Sequence, residues 1–244
     1  MRKKVLLCGE GPLDYGIKEY GTDNWKEGPV QPITRKSAAE SVVFENVEKS
    51  EIRRLRIQRG PTAGHAVKSY KLCVLARKRR IFNIICYADA DKIPGRGRKE
   101  VGARAAFQSV YNQVREGFVK FNENFRSNNQ NRIVGIPMVP LRMIESWLLS
   151  DEEAFNKCFG KVPSDPRLPG KPELIWGDKH DPGSDYPKHL MERALKQYHK
   201  KSNREVFKRI AEEIDIDVLR KQCPISFETF YNDIQRELRF LNSP

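Results

Sequence analysis

What this chain lacks narrows its possible functions. No stretch approaches the roughly 18–20 consecutive apolar residues that a membrane-spanning helix requires. The opening MRKKVLLCGEG loses its apolar run at Gly9 and Glu10, too soon for a secretory signal. No long amphipathic basic helix offers a membrane surface contact, so a cytoplasmic protein without a membrane partner is expected. The five cysteines (Cys8, Cys73, Cys86, Cys158 and Cys223) are odd in number and never spaced as CxxC. That pattern excludes a disulfide framework and fits buried thiols in a reducing compartment. The four histidines show neither HExxH nor HxH spacing, so zinc is not expected. No GxxxxGK[ST] loop is present, which assigns any ATP hydrolysis to another subunit. Internal repeats are absent as well.

What the chain has in excess is positive charge. Lys plus Arg number 45 against 32 Asp plus Glu, a formal net charge of +13, in a sequence that is 39% hydrophobic and 32% charged. The apolar fraction suffices for a packed core. The charge points to a polyanion, with nucleic acid ahead of membrane. Part of it is clustered: Arg53, Arg54, Arg56 and Arg59; the run Arg77 to Arg80; and Arg96, Arg98 and Lys99. Each run read alone is equally a solvated helix face. Three of them near one acidic region favour phosphate.

The apolar pattern predicts an α/β protein. Lys4–Cys8 reads as a first strand, Ser50–Gln58 as a second, and Arg80–Ala88 as the strongest, its near-continuous apolar run marking a central parallel strand covered on both faces. Helical spacing extends over His65–Arg79 and Lys99–Phe125, Arg132–Val139 is a further strand, and Arg142–Phe155 a further helix. Alternating strands and helices imply crossover connections in a mostly parallel sheet flanked by helices. Residues 161–187 hold six prolines and read as a connector. Pro187 then opens a helix, Arg204–Glu213 forms another, and Ser226 is placed to cap a last one. The expected division is an α/β domain over 1–140 and a helical C-terminal extension over 141–244.

Carboxylates stand where open parallel sheets carry their sites. Glu10 follows the first strand in CGEGPLDYG, and Asp89 and Asp91 follow the central strand in YADADK. In extended chain the two-residue spacing aims both aspartates one way. Oxygen donors alone describe Mg2+ or Mn2+, and a divalent ion offsets the repulsion among them. The competing reading makes Asp89 and Asp91 ordinary loop or capping groups. Glu10 likewise becomes a cap on a helix near Leu13–Tyr20, and Asp14 an acidic residue of its first turn. Spacing leaves the two readings level.

The set CGEGPLDYG and YADADK resembles the Toprim fold of primases, topoisomerases and OLD-type nucleases. IPMVPLRMIESWLLSD and CPISFETF resemble, more narrowly, the RloB-type Toprim-like proteins of prokaryotes that are often encoded near ATPases in anti-phage loci. The resemblance implies that Glu10, Asp89 and Asp91 bind divalent metal for phosphodiester chemistry. It also implies that Asp14 matches the acidic residue of a GxTD-like turn, here with Leu13 in place of threonine. Lys92 stands where a Toprim DxD often continues to another acidic residue. Glu145, of the ExWLL motif, would complete a second metal position; its alternative role is pairing with Arg142 one helical turn away. Trp147, Leu148 and Leu149 read as core anchors.

Together these features predict a metal-dependent nuclease in anti-phage defence, acting on DNA or RNA beside an ABC- or AAA-type ATPase, with homo-oligomers also open. Glu10, Asp89, Asp91 and Glu145 would hold the metal, Glu145 or the metal itself would activate water, and Lys92 would stabilise charge. The alternative is a non-catalytic nucleic-acid-binding or assembly subunit for such an ATPase.

Overall fold

The computed structural model describes residues 3–38, 41–90, 99–125 and 132–239. Four strands, β1 (Lys3–Cys8), β4 (Val42–Asn46), β5 (Asn83–Tyr87) and β6 (Val134–Met138), form one parallel sheet in the order β4-β1-β5-β6. Cys8 pairs with Cys86 and Tyr87 with Met138, so the carboxyl ends of the three neighbouring strands β1, β5 and β6 lie side by side. A two-stranded antiparallel hairpin, β2 (Ile17–Lys18) and β3 (Trp25–Lys26), interrupts the connection from β1 to β4.

Strand alternation divides the core in two. Val5, Leu7, Ile85, Tyr87, Ile136 and Met138 face one apolar cluster; Leu6, Cys8, Ile84, Cys86 and Ala88 face the other. The second is covered by α2 (Lys49–Arg54), α3 (Gly64–Arg79) and α4 (Lys99–Asn124). The first is covered by α1 (Val30–Ser37) and by helices of the C-terminal part: α5 (Ile144–Leu148), α6 (Glu152–Phe159), α7 (Pro187–Lys196), α8 (Arg204–Glu213), α9 (Ile216–Gln222) and α10 (Phe227–Arg239). The mixed α/β class, the parallel sheet and the C-terminal helices match the sequence expectation. Strand β5 is central and buried on both faces, as its uninterrupted apolar run implies. Helices α3 and α4 approach closely at Gly117, where a β-carbon would overlap Ser69 and the Ala66 carbonyl.

Four local expectations are corrected. The second strand in sequence order within the sheet is Val42–Asn46, paired in parallel with β1, and not Ser50–Gln58. In the latter segment Ile52 and Leu55 lie three apart, a helical spacing; Ile52 is buried in α2, and Leu55 packs against the same core where that helix ends. The chain near Leu13–Tyr20 turns into the hairpin, so no helix is there for Glu10 to cap. The helix expected over Arg142–Phe155 is two helices. Asp151 begins α6, its carboxylate accepting from the N–H groups of Glu153 (2.9 Å) and Ala154 (3.3 Å). Ser226 also spends its hydroxyl elsewhere than expected, donating to Glu173 (2.7 Å) and accepting from the Trp147 indole (2.8 Å).

All five cysteines are buried and free. Burial pushes the thiols of Cys8, Cys73, Cys86, Cys158 and Cys223 above their ordinary range, which keeps them protonated and unreactive. Among the described residues no helix is long and apolar enough to cross a membrane.

Trp147 joins the ExWLL segment to α10. It is fully buried, lies edge-on to Phe227 with ring centroids 5.0 Å apart, and bonds Ser226. Replacing it with alanine removes that packing and leaves the Ser226–Glu173 pair exposed to a cavity. W147A is therefore expected to destabilise the chain by about 3–5 kcal/mol in urea unfolding, while W147F loses less.

Candidate active site

The sheet order reverses direction between β1 and β5: the chain passes from β1 outward to β4, then crosses back to β5 on the other side. Open α/β sheets form a crevice beyond the carboxyl ends of their strands at such a point. Glu10 lies two residues past β1, and Asp89 two residues past β5. A β-carbon at Gly9 would overlap the Tyr15 ring, so glycine there lets the turn carrying Glu10 and Asp14 fold closely over the sheet edge. The turn is closed by Asp14 N–H donating to the Gly11 carbonyl at 3.2 Å.

Lysines tie these loops together. The Lys68 ammonium, from α3, donates to the Tyr87 carbonyl at 2.7 Å and stands 3.7 Å from a Glu10 carboxylate oxygen, its side chain only 15% exposed. His65 Nδ1 lies 3.7 Å from the same oxygen, and Lys49 donates to the Glu10 carbonyl at 3.5 Å. The Tyr87 hydroxyl donates to Asp89 and fixes its orientation. Lys188, at the second position of α7, senses the charges of Glu145, Asp89 and Asp14.

The electrostatics follow from gathering like charges with little water. Burial raises the Asp14 carboxyl to about 7, with Glu145 and Glu10 adding to the rise and Lys188 opposing it. Glu145, 3% exposed, is also pushed up to about 7, chiefly by burial; Lys188 opposes the rise and Asp89 adds to it. Asp89 is raised well above the carboxylate range by burial and by Asp14, against the hydrogen bond from Tyr87. For Lys68 and Lys188 burial favours the neutral form, yet neighbouring groups raise both, the thiols of Cys86 and Cys8 with Glu10 and Asp89 around Lys68, and Glu145, Asp89 and Asp14 around Lys188.

Glu10, Asp89 and Glu145 thus come from three separate segments to one edge, joined by Asp14, which spacing alone had placed in a helical turn. Glu145 does not pair with Arg142, whose guanidinium stacks on Trp176 instead. Asp91 and Lys92 lie outside the described residues. The cationic partners are Lys68 and Lys188, which sequence reasoning missed. Lys188 had a signal: a lysine in the first turn of a helix that has no acidic residue there opposes the macrodipole, and such a placement asks for an anionic neighbour. Lys68, inside an ordinary helix, had none.

The basic runs are also redistributed. Arg77 to Arg80 close α3 just before β5 begins, at the amino edge of the parallel sheet and therefore opposite the carboxylates. Arg79 pairs with Glu45 and Glu51, and Arg77 stacks on Phe125. That run does not flank the site. Arg53 and Arg54 end α2, the helix that follows β4 directly. Arg96 and Arg98 lie outside the described residues.

A hard divalent cation suits these donors in kind, since all are carboxylate oxygens. In position the fit is partial: among the described residues no three His, Cys, Asp or Glu side chains are gathered closely enough to hold an ion. Any ion would need carboxylates that turn toward it.

Asp14 and Glu145 retain protons in the folded chain at pH values where the unfolded chain, with ordinary values of 3.8 and 4.5, has lost them. Their contribution to stability therefore falls as pH rises from that range to about 7 and then levels off. E145Q should be more stable than the parent by about 1–3 kcal/mol near pH 8, with the difference vanishing near pH 4. Chemical denaturation in chelator across that pH range is the measurement; a pH-independent difference would contradict the buried acid.

The chain belongs to the family described as Domain of unknown function (DUF4276), whose model matches residues 33–235. Lys68, Asp89, Glu145 and Lys188 fall within the matched span, and Glu10 and Asp14 precede it. No curated protein and no solved structure matches the chain.

Proposed function

We propose that this DUF4276 member is a metal-dependent phosphodiester hydrolase acting on nucleic acid. One observation carries the reading: Glu10, Asp14, Asp89 and Glu145 lie along the carboxyl edge of one parallel sheet, with Lys68 and Lys188 among them. The Toprim resemblance of CGEGPLDYG and YADADK and the net charge of +13 support the same class of substrate. By that resemblance, DNA or RNA is the substrate and an ATPase subunit of a defence system the partner.

Glu10, Asp89 and Glu145, with Asp14 beside them and Asp91 as the remaining sequence candidate, would hold Mg2+ or Mn2+. When bound, such an ion neutralises phosphate oxygens and acidifies water. The chain's own groups supply the rest. Glu145, close enough to sense Asp89 and Lys188, is the carboxylate that would accept a proton from attacking water. Tyr87 keeps the Asp89 carboxylate oriented, and Lys68 fixes Glu10 relative to the end of β5. Lys188, cationic beside Glu145, stabilises negative charge growing on the phosphate.

A second reading, a nucleic-acid-binding or assembly subunit without catalysis, is favoured by a specific observation: no three candidate ligands among the described residues share one point. The two readings separate in one experiment. Purified protein with labelled DNA and RNA should cleave in Mn2+ or Mg2+ and not in chelator. D89N should lose at least about 100-fold in rate, and E145Q should lose rate far more than affinity. Binding that survives with no cleavage by the parent under any metal, alone or with an ATPase partner, would favour the assembly subunit.

A further inference from the structure

Arg142 is the side chain whose surroundings least explain it. It has no accessible surface, yet Nε, Nη1 and Nη2 have no hydrogen-bond partner. Its backbone is left-handed, with φ of +77°, a conformation that costs any residue with a β-carbon. Burial lowers its pKa to about 10, and no neighbouring charge contributes to the shift. Glu173 is as deeply buried but satisfied, accepting from Ile225 N–H (2.7 Å), Ser226 N–H (3.0 Å) and the Ser226 hydroxyl (2.7 Å). The core of this protein therefore pairs an ion where its role is structural.

The position of Arg142 is informative. Leu141 bridges Ala90, and Ala90 N–H donates to the Pro140 carbonyl at 3.1 Å, so the β5–β6 pairing runs past both strands to the residue just before Arg142. Asp89 precedes that bridge and Glu145 lies three residues after Arg142. The guanidinium stacks 4.3 Å from the ring centroid of Trp176, which is itself 42% exposed.

We infer that Arg142 and Trp176 form a nucleic-acid subsite at the turn between β6 and α5, the guanidinium receiving a backbone phosphate and the indole stacking an unpaired base. The inference rests on the nucleic-acid reading above and extends it to a strand with at least one unstacked base. The guanidinium fork matches two phosphate oxygens, and an indole offers a base a sequence-tolerant platform. Since Arg142 has no surface of its own, the phosphate reaches it as Trp176 swings off its face, and that movement frees the indole for the base. An unpaired buried cation and a strained backbone, together at one residue, are the cost of holding the receptor ready.

The test uses the full chain in chelator, so that cleavage plays no part. Affinity for labelled single-stranded DNA and RNA oligonucleotides is read by anisotropy, and thermal stability is read without oligonucleotide. R142M and R142Q should bind about tenfold or more weakly, and W176A should also weaken binding. R142M should melt no lower than the parent, and by about 2 °C or more higher, because it removes an uncompensated buried charge. Parent-like affinity in R142M and R142Q would overturn the inference. So would failure of both Arg142 variants to fold, since that outcome makes the side chain structural. Arg142-dependent binding in a parent that never cleaves would sink the hydrolase reading and leave this subsite standing. Normal cleavage with unchanged KM in R142M would do the reverse.

Discussion

Burial of carboxylates near one another sets the electrostatics of this protein's candidate site. Glu145 is almost wholly removed from water and feels Asp89, while Asp14 feels both Glu145 and Glu10. Such a group of acids persists in a folded chain only if protons, cations or metal offset it. Lys188 and Lys68 supply part of that compensation from opposite layers, one from the C-terminal helices and the other from α3. Burial, with the remaining repulsion, shows as raised carboxyl pKa values.

The sheet makes this concentration possible. Parallel pairing places the ends of β1 and β5 side by side, and the chain reverses direction between them, the place where open α/β sheets carry their sites. The two layers differ in what they contribute. Helices α3 and α4 cover one face, with α3 holding Glu10 through Lys68 and His65. On the other face α5 and α7 bring Glu145 and Lys188, and the segments before α5 and after residue 174 bring the Arg142–Trp176 stack. Residues after 140 therefore furnish the candidate site as well as core.

Much of the fold was legible because its signals are local. The apolar run Ile84–Tyr87 could only be a buried strand, and the spacing from His65 to Arg79 only a helix. The strand at Val42–Asn46 was missed because its five residues carry a short, partly exposed apolar run, whereas Ser50–Gln58 contains isolated apolar residues that suit either period. That Asp151 opens a second helix was not legible, because a capping aspartate inside an apolar helical pattern looks equally like the end of the first helix or a polar position on it.

The candidate site was legible to a lesser degree, and unevenly. Glu10 and Asp89 declared themselves by standing just after strands, since chain direction and strand ends are written in sequence, whereas Glu145 was singled out by the resemblance of its ExWLL motif. That these three acids share an edge with Asp14, Lys68 and Lys188 was decided by tertiary structure alone, because strand order and the seating of α3 and α7 depend on long-range packing that no local pattern encodes. The same holds for Arg142: its neighbours would suggest a partner in Glu145, but a left-handed backbone turns it onto Trp176, and only the folded chain sets that direction.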